Sequence, residues 1–204
     1  MQGRSPAALL HLFMTQDKFL HFSLVGLPGS GKSTIGRQLA RLWGLTFVDT
    51  DHVIEQRLGC TIKEYFANHG EGAFRDLESQ VLKELLQLPQ SSVLATGGGA
   101  ILRPVNRAVL RERSTVFYLQ TSPEDIARRL RADTTRPLLQ GADTLQRLRD
   151  LLQVRSPLYL ETAHYVIDSV RQNTTQVTRK ICMQAELAGV LPLRCCGQRM
   201  KDVN

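Results

Sequence analysis

The sequence contains few cysteines, and they are not spaced like metal ligands. The four cysteines are Cys60, Cys182, Cys195 and Cys196, and no two of them form a C-x-x-C pair. No histidine stands near the adjacent pair Cys195 and Cys196, which argues against a zinc site. Neighbouring cysteines are also poor partners for a structural disulfide. We therefore expect reduced thiols and a cytoplasmic protein.

The sequence also lacks a hydrophobic run long enough to cross a membrane, internal repeats and low-complexity segments. The apolar run from Ala7 to Met14 is interrupted by His11 and is too short for a span. We expect no membrane partner. The length of 204 residues favours one domain, predicted as residues 18–188 and expected to be monomeric. Residues 1–17 are predicted to be a poorly ordered extension, and residues 189–204 a C-terminal tail.

Aromatic residues are scarce, at 6% of the chain, whereas basic residues outnumber acidic ones by 26 to 19. The excess is concentrated between residues 103 and 136, where eight arginines stand against four acidic residues. Aromatic side chains do not alternate with these arginines as a surface that stacks nucleic-acid bases requires. We therefore expect no nucleic-acid partner, and a small anionic substrate is enough to explain the positive charge.

One glycine-rich stretch carries a specific chemical prediction. Residues 26–34 read GLPGSGKST and match the pattern G-x-x-x-x-G-K-[ST] at every fixed position. The bulky apolar run before it indicates a buried strand, and the apolar spacing after it indicates a helix, Thr34 to Trp43. Backbone N–H groups in such a loop hold phosphates, and the helix directs its positive end at them.

The loop predicts the nucleotide site residue by residue. We expect Lys32 to add positive charge at the outer phosphates and the Ser33 hydroxyl to bind Mg²⁺. The alternative is a glycine-rich turn with a solvated lysine. The predicted phosphate-binding residues are Gly29, Ser30, Gly31, Lys32, Ser33 and Thr34.

Apolar runs alternate with helical patterns along the rest of the chain. This alternation predicts an α/β fold with parallel strands and crossover helices on both faces of the sheet. The predicted strands are residues 19–25, 46–48, 92–96, 115–119 and 164–167. The predicted helices include residues 73–88, 144–159 and 174–187, a capping box at Thr61–Glu64 and a helix start at Ser122–Pro123.

Two carboxylates follow the second predicted strand. Residues two apart on a strand point the same way, so Asp49 and Asp51 are expected to face the ligand crevice at the carboxyl end of the sheet. We expect Asp49 to lie near the metal. We expect Asp51 to orient an acceptor hydroxyl and take its proton. The alternative is that both aspartates cap a helix beginning at His52.

Three glycines and two arginines predict an acceptor pocket. Gly97, Gly98 and Gly99 directly follow a predicted buried strand, which permits very close approach of the backbone to a ligand. Arg75 and Arg155 stand on separate predicted helices. Together they could clamp one carboxylate, because a guanidinium group bonds both oxygens. Taken singly, an arginine is more often a surface ion-pair partner.

A polar segment late in the chain has the character of a lid. Residues 131–141, RADTTRPLLQG, break the helical pattern at Pro137 and carry Arg136. We expect a mobile lid that closes over bound nucleotide. An ordinary surface loop is the alternative.

Taken together and in order, these motifs resemble those of shikimate kinase. The resemblance covers residues 20–175 and rests on GLPGSGKST, FVDTD, GEGAFRDLE, ATGGGA, RPLL and RSPLY. It implies a P-loop kinase fold with a five-stranded parallel sheet of order 2-3-1-4-5. It also implies Mg²⁺- and ATP-dependent phosphorylation of the 3-hydroxyl of shikimate, in aromatic amino-acid biosynthesis.

The resemblance further implies roles for single residues. Asp51 would contact the shikimate hydroxyls, while Arg75 and Arg155 would hold its carboxylate beside Gly97–Gly99. Lys32 and Arg136, the latter from the lid, would act on the transferred phosphate. Arg129 and Gln172 would lie on the nucleotide side. Leu130 and Thr134 depart from the family pattern, which often has threonine or lysine at these positions.

Three other functions remain as alternatives. Gluconate kinases and nucleoside monophosphate kinases share the phosphate loop, but the paired aspartates, triple glycine and two arginines favour shikimate. A non-catalytic nucleotide-binding regulator would be expected to have lost Lys32, Asp51 or Arg136, and all three are present. A nucleic-acid-binding protein would use the basic face.

Overall fold

The computed structural model describes residues 19–132 and 144–191. Several predictions made from the sequence lie outside these residues. They are the N-terminal extension 1–17, lid residues 133–141 with Thr134 and Arg136, and tail residues 192–204 with Cys195 and Cys196.

The described residues form one five-stranded sheet with strand order β2-β3-β1-β4-β5, in which every neighbouring pair is parallel. The predicted fold and strand order are thereby confirmed. The strands are β1 His21–Val25, β2 Thr46–Asp49, β3 Ser92–Ala95, β4 Thr115–Gln120 and β5 Tyr165–Asp168. The helices are α1 Lys32–Trp43, α2 Thr50–Leu58, α3 Ile62–Leu85, α4 Pro104–Arg113, α5 Pro123–Ala132, α6 Thr144–Thr162 and α7 Thr174–Leu187.

The strand order positions the functional loops. Because all strands run the same way, the segments that follow β1, β2 and β3 emerge at one edge of the sheet. β1 lies between β3 and β4, so the strand order reverses its direction at β1. Ligands of such sheets bind in the crevice at the carboxyl ends of the strands where this reversal occurs.

The element boundaries differ from the predictions in detail. Phe19 and Leu20 precede β1 and are exposed, although the Leu20 carbonyl oxygen still accepts from the Ser92 N–H of β3 at 2.9 Å. β5 begins one residue later than predicted, and α1 begins two residues earlier, at Lys32. The capping box at Thr61 is present, with its hydroxyl accepting from the Glu64 N–H and the Glu64 carboxylate accepting from the Thr61 N–H.

Apolar side chains cover both faces of the sheet. On one face, Phe22 and Leu24 pack with residues of α1 and α7, including Leu39 and Ile181. On the other face, a second cluster joins β-strand residues to α4, α5 and α6 and includes Tyr118. Burying each large apolar side chain contributes roughly 1.5–3 kcal/mol to folding, so these layers hold the sheet edge in place.

Helix α3 is broken at Gly70, whose φ of 79° and ψ of 172° are not helical. The segment before the break packs with α2 in a third apolar cluster. Among the described residues, the fully buried members of this cluster are Ile54, Phe74 and Val81. The predicted helix over residues 73–88 therefore corresponds to the second part of a longer, kinked helix.

Several arginines of the basic stretch serve the fold itself. Arg103 pairs with Asp76 at 2.5 Å, and Arg107 pairs with Glu161 at 2.9 Å. Arg111 donates to the carbonyl oxygen of Glu161 near the C-terminal end of α6. A positive charge there interacts favourably with the negative end of the helix dipole. These three arginines therefore contact groups of the fold itself. In the described part of the chain, no helix combines the length and the apolar character needed to cross a membrane.

Candidate active site

The phosphate loop connects β1 to α1 in the predicted strand–loop–helix context. Gly29 and Gly31 have φ of 80° and 95°, a left-handed conformation that glycine adopts without steric cost. The Lys32 ammonium group is buried and donates to the carbonyl oxygens of Gly26 and Leu27, each at 2.9 Å. The lysine is therefore folded over its own loop, and the alternative of a solvated side chain is wrong for this structure.

The loop and the end of β2 bring oxygen donors together. The Ser33 hydroxyl donates to Asp49 Oδ2 at 2.7 Å, and the Asp51 N–H donates to Asp49 Oδ1 at 3.2 Å. Asp49 therefore caps helix α2, which begins at Thr50 and not at His52. The capping alternative is correct for Asp49 but not for Asp51, which lies inside the first turn.

A hydroxyl oxygen beside a carboxylate oxygen suits Mg²⁺, which prefers oxygen ligands and keeps several of its waters. Among the described residues, no group of three or more His, Cys, Asp or Glu side chains is arranged to hold a metal ion. Ser33 and Asp49 thus fit a magnesium ion held by few protein ligands together with phosphate oxygens, and not a fully protein-enclosed metal.

Asp51 has an unusual protonation equilibrium. Burial raises the pKa of its carboxyl group to about 6, and the negative charge of Asp49 adds to this effect, while Lys32 opposes it. A carboxylate whose pKa lies closer to neutrality is a better general base for a hydroxyl proton than an ordinary aspartate.

The triple glycine packs against functional side chains without room for a Cβ atom. A Cβ at Gly97 would lie 2.6 Å from Asp51 Oδ1, and one at Gly98 would lie 2.8 Å from Pro28 in the phosphate loop. A Cβ at Gly99 would lie 2.5 Å from the Arg75 guanidinium. The three glycines therefore let one turn approach Asp51, the phosphate loop and Arg75 at once.

Arg75 reaches this turn from α3 and is paired with acidic side chains. It donates to Glu78 at 2.8 Å and to Glu71 at 2.9 Å, and the Glu78 side chain is 2% exposed. Burial lowers the pKa of Arg75, but the ion pairs outweigh it and raise the pKa overall. Burial raises the pKa of Glu78 although Arg75 opposes the change. These ion pairs hold the guanidinium beside Gly99.

Arg155 reaches the same turn from α6. Its Nη1 donates to the carbonyl oxygen of Gly98 at 3.0 Å, and the Tyr159 hydroxyl donates to the same oxygen at 2.6 Å. Arg75 and Arg155 therefore meet at adjacent residues of one turn, although they come from different helices.

A cavity of about 700 Å³ joins these elements. Its lining comes from the phosphate loop, from Asp49 and Asp51, from Gly98, and from the loop after β5. Arg75 and Arg155 do not themselves line it.

Arg129 connects two walls of this cavity. Its guanidinium donates to the carbonyl oxygens of Ser30 and Gln172, at 3.4 and 3.3 Å. The carboxamide oxygen of Gln172 is buried and meets no hydrogen-bond partner among the described residues. Leu130 is buried at 4% exposure and packs in the core of the domain. The remaining predicted site residue, Arg136, lies outside the described residues.

The sequence analysis did not single out Glu78 or Tyr159. Glu78 is three residues after Arg75, a spacing that indicates an ion pair on a helix. Tyr159 belongs to the RSPLY motif, but its partner Gly98 is distant in the chain, and no local pattern predicts that contact.

Comparison with known proteins bears directly on this geometry. A family model described as shikimate kinase matches residues 28–186. The chain belongs to the shikimate kinase family. It is 56% identical to a shikimate kinase of Paracidovorax citrulli, over 85% of this chain and 96% of that protein. It is 47% identical to a shikimate kinase of Ralstonia nicotianae, over 82% of this chain and 87% of that protein.

Solved structures agree with this shikimate kinase assignment. A shikimate kinase from Acinetobacter baumannii in complex with shikimate has a TM-score of 0.77 and 44% identity, covering 86% of this chain and 97% of that one. The predicted family and enzyme class are confirmed, and shikimate kinases are ATP-dependent kinases.

Proposed function

We propose that this protein transfers the γ-phosphoryl group of ATP to the 3-hydroxyl of shikimate, giving shikimate 3-phosphate and ADP, in aromatic amino-acid biosynthesis. The observation that carries this proposal is the meeting of Asp51, Arg75 and Arg155 at the Gly97–Gly99 turn beside the phosphate loop. One side of the site thus offers amide groups for phosphates. The other offers a base and two cations for a hydroxylated acid.

The two arginines would hold the acceptor carboxylate. Each guanidinium is planar and bonds two oxygens, and their position at Gly98 and Gly99 lets both address one group. Ion pairs with Glu71 and Glu78 already hold the Arg75 side chain in place, so it loses little conformational freedom when the acceptor binds. Gly97, Gly98 and Gly99 would form the floor on which the acceptor ring rests.

Asp51 would orient the reacting hydroxyl and accept its proton. Its carboxylate faces Gly97, next to the proposed acceptor, and its pKa of about 6 leaves it mostly ionised at neutral pH. In-line phosphoryl transfer needs mainly positioning and charge neutralisation, so a base that aims the oxygen is sufficient.

The donor phosphates would lie on the backbone amides of residues 29–34, at the N-terminus of α1. Lys32 would move from the loop carbonyls to the outer phosphates, and Arg136 would approach the transferred group from residues 131–141. Arg129 and Gln172 would contact the nucleotide on its other side. We also propose that residues 18–188 form the functional domain, between an extension at 1–17 and a tail at 189–204.

Ser33 and Asp49 would hold Mg²⁺, for which their oxygen atoms are suited. When bound, the ion would neutralise negative charge on the phosphate oxygens. Asp49 keeps the Ser33 hydroxyl directed toward the site through their 2.7 Å hydrogen bond.

We further propose that the enzyme works in the cytoplasm as a monomer, without a nucleic-acid or membrane partner. The free thiol of Cys60 is compatible with a reducing compartment.

A coupled ADP-release assay tests the proposed reaction. The full chain would be offered ATP with shikimate, quinate, gluconate or AMP, and Lys32→Ala would provide the background. We expect shikimate to accelerate ADP release by orders of magnitude, with phosphorus–proton coupling in the product identifying the 3-position. Faster turnover with gluconate or AMP, or no acceleration by shikimate, would overturn the proposal.

A further inference from the structure

Arg171 has a strained backbone conformation that contacts with other parts of the fold must stabilise. Its φ is 55°, and among the described residues it is the single non-glycine residue with positive φ. Side chains other than glycine adopt this left-handed region rarely because of steric crowding at Cβ. Arg171 lies in the loop between β5 and α7, so something must hold that loop in its shape.

Asp125 supplies the holding contact from another part of the fold. Its Oδ2 accepts a hydrogen bond from the Arg171 N–H at 2.7 Å, across 46 residues of sequence. The Asp125 side chain is buried, and its other oxygen accepts from Arg128. The Arg171 N–H is the largest influence lowering the pKa of Asp125, so the carboxylate stays ionised and remains a strong acceptor.

The start of the same loop is fixed to the sheet as well. The Ser169 N–H donates to the carbonyl oxygen of Gln120 at 2.9 Å, and the hydroxyls of Thr121 and Ser169 share a 2.5 Å hydrogen bond. At the loop's far end, Asn173 caps helix α7. The turn at Arg171 lies between these two fixed points and is closed by the Gln172 N–H donating to the Ser169 carbonyl oxygen at 3.3 Å. Asp125 is the carboxylate that holds the Arg171 N–H from helix α5.

This loop forms one wall of the proposed nucleotide cavity. Ser169, Gln172 and Asn173 line the cavity together with the phosphate loop. In the proposed function, the phosphate loop binds the phosphates, and the side of the cavity at Asp51 and Gly98 binds the acceptor. The wall made by residues 169–173 is therefore the one left for the base and sugar of the nucleotide. Gln172, next to Arg171, also accepts from Arg129, which in turn contacts the phosphate loop.

We infer that Asp125 is a positioning residue for the base end of the nucleotide: by fixing the turn at Arg171, it sets Gln172 and Asn173 in the cavity wall. The inference rests on the proposed function, since it assumes that ATP occupies this cavity. Asp125 itself touches neither substrate. Its removal should therefore weaken recognition of the base without affecting the phosphate or acceptor sites.

The test compares ATP with inorganic tripolyphosphate, which has the phosphates but no base. Dissociation constants for both would be measured by calorimetry on the full chain, and KM would be measured for ATP and shikimate. We expect Asp125→Ala to weaken ATP binding about tenfold and to leave tripolyphosphate binding and the KM for shikimate within twofold. Arg128→Ala removes the ion pair but keeps the loop hydrogen bond, and should change ATP binding less than twofold.

Asp125→Asn keeps one oxygen acceptor and should lose ATP affinity about threefold, which preserves the test if Asp125→Ala does not fold. An unchanged ratio of ATP to tripolyphosphate affinity in either aspartate variant would overturn the inference. So would an equal loss in Arg128→Ala. Failure of the proposed function would look different, because the wild-type chain itself would then bind no ATP or release no ADP with shikimate.

Discussion

The Tyr159 hydroxyl donates a 2.6 Å hydrogen bond to the carbonyl oxygen of Gly98, the same oxygen that accepts from Arg155. The tyrosine ring is fully buried and stacks on Tyr118, with ring centroids 4.9 Å apart. Tyr159 therefore links a rigid part of the core to the turn that carries the proposed acceptor pocket.

Tyr159→Phe should raise the KM for shikimate about tenfold while leaving the KM for ATP within twofold. The substitution keeps the ring but leaves the buried Gly98 carbonyl with one donor fewer, a loss of about 1–2 kcal/mol in positioning. Steady-state kinetics with each substrate varied in turn provides the measurement.

Tyr118→Phe is the matched control for Tyr159→Phe. The Tyr118 hydroxyl is buried and makes no hydrogen bond of standard geometry among the described residues. Burial raises the pKa of this hydroxyl, and Ser156 opposes the change. The control should leave both KM values unchanged. Equal kinetic effects of the two variants would show that the Gly98 contact has no special role.

Arg75→Ala and Arg155→Ala should each raise the KM for shikimate about 100-fold and the KM for ATP less than threefold. A hydrogen bond to a charged group contributes roughly 1.5–3 kcal/mol, and the clamp acts on the acceptor alone. Arg57→Ala is the control, because Arg57 forms an exposed pair with Glu84 away from the turn. If both KM values rose together, the arginines would not form a carboxylate clamp.

Asp51→Asn should abolish turnover while stabilising the folded protein at neutral pH. Because its pKa is raised to about 6, the folded chain binds more protons than the unfolded chain between about pH 4 and pH 6. Stability therefore falls as the pH rises through this window, and the ionised carboxylate costs up to about 3 kcal/mol above it.

Urea unfolding at pH 4 and pH 8 measures this effect. The stabilisation by Asp51→Asn should be large at pH 8 and small at pH 4. In the wild type, kcat/KM for the acceptor should rise with pH and level off above about pH 6. A stability gain independent of pH would contradict the raised pKa.

Gly99→Ala should impair acceptor binding far more than folding. The new Cβ would lie 2.5 Å from the Arg75 guanidinium, which is the flexible end of a side chain and can move aside. The displacement costs little stability but moves the clamp, so the KM for shikimate should rise at least tenfold.

Gly72→Ala is the comparison for Gly99→Ala. It lies in helix α3 with nothing within 4 Å of its Cβ position, and alanine there should stabilise the helix by about 0.5–1 kcal/mol. Activity should be unchanged. Similar losses of activity in both variants would contradict the claim that the Gly99→Ala Cβ acts by displacing Arg75.

Local patterns predicted the parts of the site that are determined locally. The phosphate loop and the capping box at Thr61 each depend on residues within a few positions of one another. The cap at Asp49 entered only as an alternative, for a helix beginning at His52 instead of Thr50. Strand existence also followed from apolar runs. The strand order did not, because periodicity carries no information on which strands become neighbours, and it was available only through the family resemblance.

The remaining contacts depend on distant segments. Tyr159 and Gly98 are 61 residues apart, and Asp125 and Arg171 are 46 apart. The helical spacing of Leu130 does not distinguish a lid residue from a core residue, and only the packing of α5 shows that it is buried. The basic stretch was likewise interpreted as a feature of the surface, because the partner carboxylates and carbonyls of its arginines lie on other helices.

The break at Gly70 has a dynamic consequence. The elements before it, α2 and the first part of α3, are anchored by a small apolar cluster, whereas the phosphate loop rests on the two large layers of the sheet. Local opening that exposes few buried groups requires less free energy than global unfolding. Asp51, on α2, therefore lies in the part of the site that opens more easily, whereas the Gly97–Gly99 turn and Arg155 are tied to the same sheet layers as the phosphate loop.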